Sequence, residues 1–555
     1  MLCTIFHVFV SVDCFSDIFG CSGGADMAQF LLFAGVVTFI CILMNRIAEK
    51  IPVPSLIFFL LLGMCFGVDG IFHIPFDDYS LSETICSTCL VFIMFYGGFG
   101  TNLKTARPVA VPSFLLSSLG VILTAGLVGG FVHFVFGLEW LESLLIGSVI
   151  SSTDAASVFN VLRSRKLALK NHTDSLLELE SGSNDPVSYM LTILLLSMIS
   201  GREISIPLTL FLQLALGIAG GLLIGWIAVQ CMTRYSFLSS PGRTIFLFAI
   251  ALIAYALPSV LGGNGYLGVY FCGILMGNHY LPEKRSMVHF FDVLTEICQM
   301  AIFFLLGLLV TPSQLPDVFI PALSIMVFLT FIGRPAAVFC ILAPFRASLA
   351  QMSLVSFAGL RGVASIVFSI YVVLEGVSLQ YDIFNLVFVI VLLSLAFQGT
   401  LLPWASEKLK MTDPNADILK TFNDYQAESD VSFIKLHVTD SHPYSEKKLK
   451  DLPLPGELLV VLLLREQKTI LPSGDTILRP GDLLVMAAPE FEDRRNLTLY
   501  ETSISKNHKL KGKYLKELPK NKSYLIVMIK RGESTIIPNG DTQILAGDVL
   551  VSARL

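Results

Sequence analysis

Ser151-Ser152-Thr153-Asp154-Ala155-Ala156-Ser157 lies in the middle of an apolar segment that runs from residue 141 to residue 162. A charge at bilayer depth is costly unless it is paired or hydrated, so a carboxylate in such a segment marks a functional site rather than a filler position. The small and hydroxyl residues around it let a helix unwind and turn backbone carbonyls towards an ion. The next apolar segment carries Glu178-Leu179-Glu180-Ser181-Gly182-Ser183-Asn184-Asp185-Pro186. On a helix Glu178, Ser181 and Asp185 share one face, and Glu180 and Asn184 form a second pair on an adjacent face. Pro186 removes one backbone donor and so frees a carbonyl near Gly182. Oxygen donors of this kind suit a hard monovalent cation. One intramembrane cation is positioned to balance them, Arg361 in Gly359-Leu360-Arg361-Gly362, and we expect it to form a fixed ion pair with Glu180. Four acids and one arginine leave at least two carboxylates uncompensated. Such groups hold either a proton or a cation, which is the requirement for exchanging one against the other.

The surrounding composition places these residues in a membrane. The chain has 555 residues, 54% of them hydrophobic and 15% charged. Residues 1–404 carry 38 Asp, Glu, Lys and Arg, whereas the last 151 residues carry 43. The two parts are therefore built for different solvents. Thirteen apolar stretches long enough to cross a bilayer fill roughly residues 28 to 402. Their connections alternate in charge: fourteen Lys and Arg, from Arg46 to Arg346 and including Arg334, fall on one side, against Arg202 alone on the other. The positive-inside rule then puts the amino terminus outside and the tail in the cytoplasm. Asp292 and Glu296, one turn apart, are expected to form a surface-proximal ion-pair network with Arg334. Residues 1–26, interrupted by Asp13 and Asp17, are an upstream extension or a poor signal-like segment. All 11 cysteines precede residue 405, so the tail has no disulfide framework, and Cys86-x-x-Cys89 reads as two small residues one turn apart. The net charge of −5 gives no reason to expect a nucleic-acid partner.

The fifth and twelfth stretches, both interrupted by small residues and both charged, occupy corresponding places in two six-span halves, a pattern that inverted repeats with opposed broken helices would give. Thr153-Asp154, Glu180-Ser181-x-x-Asn184-Asp185-Pro186 and Gly359-Leu360-Arg361-Gly362 together resemble the monovalent cation:proton antiporters of the sodium/proton exchanger type. The resemblance implies a polytopic all-α fold of about thirteen transmembrane helices, with a dimerisation domain, a moving core domain and elevator-like alternating access. It implies that Asp154 and Asp185 bind the ion and the proton, that Thr153 and Ser181 add oxygens, and that Glu180 pairs with Arg361. It also implies that Asn184 before Asp185 goes with electroneutral exchange. Glu178 is a secondary candidate. The chain departs from the pattern at Tyr96, where many relatives have an acidic residue.

The tail is a tandem duplication. Leu449-Lys450-Asp451-Leu452-Pro453 recurs as Leu515-Lys516-Glu517-Leu518-Pro519, Pro472-Ser473-Gly474-Asp475-Thr476 as Pro538-Asn539-Gly540-Asp541-Thr542, and Gly481-Asp482 as Gly547-Asp548. At this constant offset of 66, residues 449–487 keep 18 identities in 39 positions. Each copy reads as a small α+β unit of strand, short basic helix, apolar strand, Gly-Asp turn and final strand. Each resembles the C-terminal module of regulators of potassium conductance, which implies dimerisation and a small regulator, in some bacteria cyclic di-AMP. The expected division is therefore an extension at 1–26, a transmembrane antiporter domain at 27–404, a linker at 405–430, and regulatory modules at 431–488 and 497–555.

The expected function is exchange of K+ or Na+ for H+ across a bacterial inner membrane, by a homodimer embedded in membrane lipid, without a cofactor or resident metal. A ligand-gated cation channel is the alternative, against which stands the lack of a Thr-Val-Gly-Tyr-Gly-like filter. Gly263-Asn264-Gly265-Tyr266-Leu267-Gly268 matches a dinucleotide fingerprint, but no strand precedes it. No phosphate-binding G-x-x-x-x-G-K-[ST] is present, which argues against an ATP-driven pump.

Overall fold

The computed structural model describes residues 24–413, apart from 49–53, 166, 203–204, 235–239, 282–283 and 378, and most of residues 431–554. Most of the amino-terminal extension and residues 414–430 of the linker lie outside the described residues. The chain divides into two compact units, Met1–Ala427 and Glu428–Leu555.

The first unit is helical. Among the described residues seven helices are long and apolar enough to cross a membrane: Tyr79–Gly100, Arg107–Phe136, Ile206–Arg234, Pro241–Val260, Ser286–Leu309, Pro312–Phe345 and Ile383–Lys408. Five shorter apolar helices accompany them, Leu31–Arg46, Ser55–Phe66, Trp140–Val149, Gly265–Gly277 and Val363–Leu374. The 27-residue helix Thr173–Ile199 is long enough but carries the acidic cluster, and it runs unbroken through Pro186. Two of the short helices have a specific origin. Trp140–Val149 and Val363–Leu374 are each one half of an interrupted span, their other halves being Ala155–Ser164 and Leu349–Phe357. The expected opposed broken helices are therefore present.

Helix Gly265–Gly277 is held between Ile206–Arg234 and Tyr79–Gly100 by direct backbone contact. A side chain at Gly221 would collide with the backbone of Gly268, and one at Gly273 with that of Phe95. In lipid, where there is little hydrophobic drive between helices, such close approach supplies the dispersion contact that holds them together. Phe211, Leu223, Trp226 and Ile245 point outward and exposed, as lipid-facing residues do.

The second unit contains two four-stranded antiparallel sheets of the same topology. In the first the order is Val431–His437, Leu483–Pro489, Leu459–Arg465, Lys468–Ile470, and in the second Thr498–Ser503, Val549–Arg554, Tyr524–Arg531, Ser534–Ile536. The expected helix of each α+β unit is a correction: among the described residues it is only a 3-10 turn, at Leu449–Asp451 and Leu515–Glu517. Its Lys450 and Lys516 reach across to Asp475 and Asp541, at 2.7 and 2.6 Å, so this basic segment is fastened to the Gly-Asp-Thr turn and does not extend.

The duplication extends to atomic detail. Register shifts fall between Val460 and Leu462 and, 66 residues later, between Ile526 and Met528. The Gly-Asp turns need a left-handed residue, and Gly481 and Gly547 adopt φ of 89° and 93°. Each following aspartate is buried and takes a forked arginine. Arg465 donates to both carboxylate oxygens of Asp482 at 2.7 Å, and Arg531 to both of Asp548 at 2.8 Å. The Arg531 guanidinium holds the Asp548 carboxyl below the usual carboxylate range. A carboxyl depressed on folding stabilises above its unfolded pKa, near ~3.9, and that contribution fades as the pH falls through the folded value. Arg531→Leu, which leaves Asp548 buried without its fork, is expected to destabilise the second module by about 1–3 kcal/mol at neutral pH and by less at about pH 3. Hydrogen exchange of Tyr524–Arg531 and Val549–Arg554 in the full-length protein measures this.

Candidate functional site

The site lies where the two interrupted spans cross. Helix Trp140–Val149 ends and residues 151–154 are non-helical before Ala155–Ser164 begins; Leu349–Phe357 ends and residues 359–362 are non-helical before Val363–Leu374 begins. The two unwound strands touch, the Asp154 N–H donating to the Leu360 carbonyl at 2.8 Å. Each break leaves carbonyls without intrahelical partners on one side and N–H groups on the other, with partial negative and positive charge respectively.

Asp154 stands at the positive ends. It caps Ala155–Ser164 by accepting from the Ser157 N–H at 3.3 Å and from the Ser157 hydroxyl at 2.5 Å. It also lies against Gly362, the residue that precedes Val363–Leu374, where any Cβ would overlap the Asp154 carboxylate. Arg361 stands at a negative end. Its Nη1 donates to the Ser151 and Ser152 carbonyls at 2.7 and 2.6 Å, and its backbone N–H donates to Ser394 Oγ at 3.0 Å.

Arg361 is therefore not the partner of Glu180. The fully buried Glu180 pairs with Arg334, itself 2% exposed. This corrects two expectations, the Glu180–Arg361 pair and the placing of Arg334 with Asp292 and Glu296 in a surface network. Arg361 is occupied by the carbonyls of the broken helix. A π-helical turn at Leu329–Gly333 immediately precedes Arg334, and Gly359 packs against its guanidinium stem, so the side chain is accommodated inside. Asp292 instead accepts from the Tyr96 hydroxyl at 3.0 Å, and Glu296 from Asn45 Nδ2 at 2.9 Å. The motif Gly359-Leu360-Arg361-Gly362 thus makes room for Arg334, caps a helix end and makes room for Asp154.

Helix Thr173–Ile199 is stitched to the first break. Ser181 Oγ donates to the Thr153 carbonyl and Asn184 Nδ2 to Thr153 Oγ1, both at 2.6 Å. Ser152 is the hydrogen-bonding neighbour of Asp185, and Asp154 is near enough for the two carboxylates to repel. The structure therefore brings together Thr153, Asp154, Ser181, Asn184 and Asp185. It separates Glu180 from Asn184, which face Arg334 and Thr153. Glu178, also buried, accepts from Thr101 Oγ1 at 3.4 Å on the helix opposite. The Pro186 carbonyl accepts from Asn264 Nδ2 at 2.9 Å, a different carbonyl from the one near Gly182 that the proline frees. Thr101 and Tyr270 were not singled out by the sequence, Asn264 was named only within the dinucleotide-like stretch, and Arg334 was placed elsewhere although a charge within an apolar run is a signal for a buried partner. Among the described residues no group of His, Cys, Asp and Glu could hold a resident metal.

Residues 35–408 match the family described as sodium/hydrogen exchanger, transmembrane. The chain belongs to this family. The exchanger's tail matches the TrkA-C domain twice, at residues 434–490 and 499–551. It is 30% identical over 470 residues to the K(+)/H(+) antiporter NhaP2 of Shewanella sp. (strain ANA-3), covering 83% of this chain and 81% of that protein. It is 32% identical over 462 residues to the K(+)/H(+) antiporter NhaP of Alkalimonas amylolytica, covering 82% and 80%. The sodium proton antiporter MjNhaP1 of Methanocaldococcus jannaschii has the same fold, with a TM-score of 0.62 at 22% identity over 69% of this chain and 99% of that one. The exchanger is thus a secondary antiporter, and the channel alternative is set aside.

The ion-pair assignment predicts a specific rescue. Arg334→Met leaves Glu180 buried and uncompensated and is expected to cost about 3–5 kcal/mol. Glu180→Gln should restore most of that loss in the double variant but restore nothing to Arg361→Met. Thermal unfolding of the four detergent-purified proteins checks this, and equal rescue of both arginine variants would contradict it.

Proposed function

We propose that the protein exchanges one monovalent cation, K+ or Na+, for one proton, at a site made by Asp154 and Asp185 with oxygens from Thr153, Ser181 and Asn184. The observation that carries this reading is the placing of two carboxylates at one crossing, where Arg334 pairs with Glu180 and Nη1 of Arg361 donates to the Ser151 and Ser152 carbonyls. Asp185 Oδ1 and Asn184 Oδ1 are buried and have no hydrogen-bond partner among the described residues. Buried polar atoms of this kind require a partner, and a dehydrated cation or a proton supplies one. Two neighbouring carboxylates in a dehydrated site do not both stay empty and charged, so a cation entering displaces a proton and a proton entering displaces the cation. Glu180 and Arg334 form the fixed pair behind the site, and Glu178 lies on its border.

The relatives named K(+)/H(+) antiporters favour potassium, and TrkA-C modules fit potassium systems. We place the protein in a bacterial inner membrane as a homodimer of thirteen-helix protomers, amino terminus outside and tail in the cytoplasm. The tail is read as a regulatory part that binds a small molecule, with cyclic di-AMP the candidate raised by the resemblance.

In proteoliposomes carrying a pH dye, Asp185→Asn should abolish cation-driven proton movement while the protein still folds and inserts; normal exchange by this variant would refute the assignment of the site. Removing residues 405–555 should change the dependence of exchange on pH or on added cyclic di-AMP and leave the choice of ion unchanged. Complete loss of exchange in well-inserted truncated protein would show that the tail does more than regulate.

A further inference from the structure

Helix Gly265–Gly277 runs antiparallel to Thr173–Ile199 and touches it beside the acidic cluster. Asn264 meets Pro186, and Tyr270 meets Gly182. Tyr270 is among the largest fully buried side chains of the molecule. Its ring fills the space above Gly182, where a Cβ would overlap the ring and stand 2.7 Å from the hydroxyl oxygen. Glycine at residue 182 is therefore the seat of this ring, three residues before Asp185. The hydroxyl is buried, with Thr101 as its hydrogen-bonding neighbour. The polar groups around it are Glu178, Thr101 and Asp185. Thr101 Oγ1 donates elsewhere, to the Gly97 carbonyl at 2.8 Å and to Glu178 at 3.4 Å.

We propose that Tyr270 is a substrate-positioning residue, a fixed hydroxyl oxygen supplied from outside helix Thr173–Ile199 that faces the transported cation between Glu178 and Asp185. The proposal rests on the reading of Asp185 as the ion site. A phenol oxygen is a neutral hard ligand, and it coordinates a dehydrated monovalent cation without adding a further charge. The packed ring holds this oxygen rigidly, which a serine or threonine at the same place would not. Because the contact is made to the ion and not to the proton on Asp185, its removal weakens cation binding relative to proton binding.

The test compares wild type, Asp185→Asn and Tyr270→Phe in proteoliposomes, with cation-driven proton flux measured over a range of K+ and Na+ concentrations and pH values. Tyr270→Phe keeps the ring and its seat. It is expected to raise the apparent KM for the cation about tenfold, the size of one hydroxyl contact to a charged partner, to leave the maximal rate within about twofold, and to shift cation–proton competition in favour of the proton. A wild-type KM and pH profile in Tyr270→Phe, with Asp185→Asn inactive, overturns the role of Tyr270 alone. Exchange by Asp185→Asn overturns the ion-site reading on which it rests. Should Tyr270→Phe fail to insert, Gly182→Ala, which drives the ring off its seat, must raise the KM in the same direction; an unchanged KM there also overturns the proposal.

Discussion

Interrupting a helix inside a membrane exposes backbone groups that no water can satisfy, and the rest of this site follows from how the chain answers that constraint. Two spans are interrupted at one crossing, so that their breaks share partners. The Asp154 N–H finds the Leu360 carbonyl. The Ser151 and Ser152 carbonyls of the first break are covered by Arg361, and Asp154 accepts from the Ser157 N–H and lies against Gly362. Charge is thus placed where helix dipoles favour it. The Asp154 carboxylate is held by the same electrostatics that make the breaks tolerable.

Helix Thr173–Ile199 then supplies the second carboxylate and fixes the geometry. Ser181 and Asn184 both bind Thr153, so the position of the unwound segment relative to Asp185 is set by side chains one turn apart on a continuous helix. The fixed ion pair of Glu180 with Arg334 lies behind it. This arrangement separates the buried ion pair of Glu180 with Arg334 from the two carboxylates at the helix crossing.

The broken helices were legible in the sequence, and the candidate site residues stand out in it, because each departs from what lipid permits: Asp154 among small residues, Asp185 beside a proline, Arg361 between glycines. Wrong was the partner of Glu180. Spacing along one helix says which face a residue occupies, but not which of two arginines on other helices reaches it, and Arg334, inside the helical run Pro312–Phe345, was counted with the connecting charges. Thr101 and Tyr270 were invisible, and Asn264 stood out only in a motif of no consequence, because each is an unremarkable residue until packing brings it beside the acids. In the tail, the 66-residue repeat was legible to the level of its Gly-Asp turns. The arginine fork that explains them was not, because Arg465 and Arg531 are distant in sequence from the aspartates they hold.

The central claim is that cation and proton compete for the same pair of carboxylates at the helix crossing. Titration of the purified exchanger with K+ and Na+ in weakly buffered detergent solution, reading released protons and bound cation together, tests this directly. The account predicts that about one proton leaves per cation bound and that apparent cation affinity falls about tenfold for each unit of pH below the titration of the pair. Cation binding that releases no proton and is indifferent to pH would contradict it.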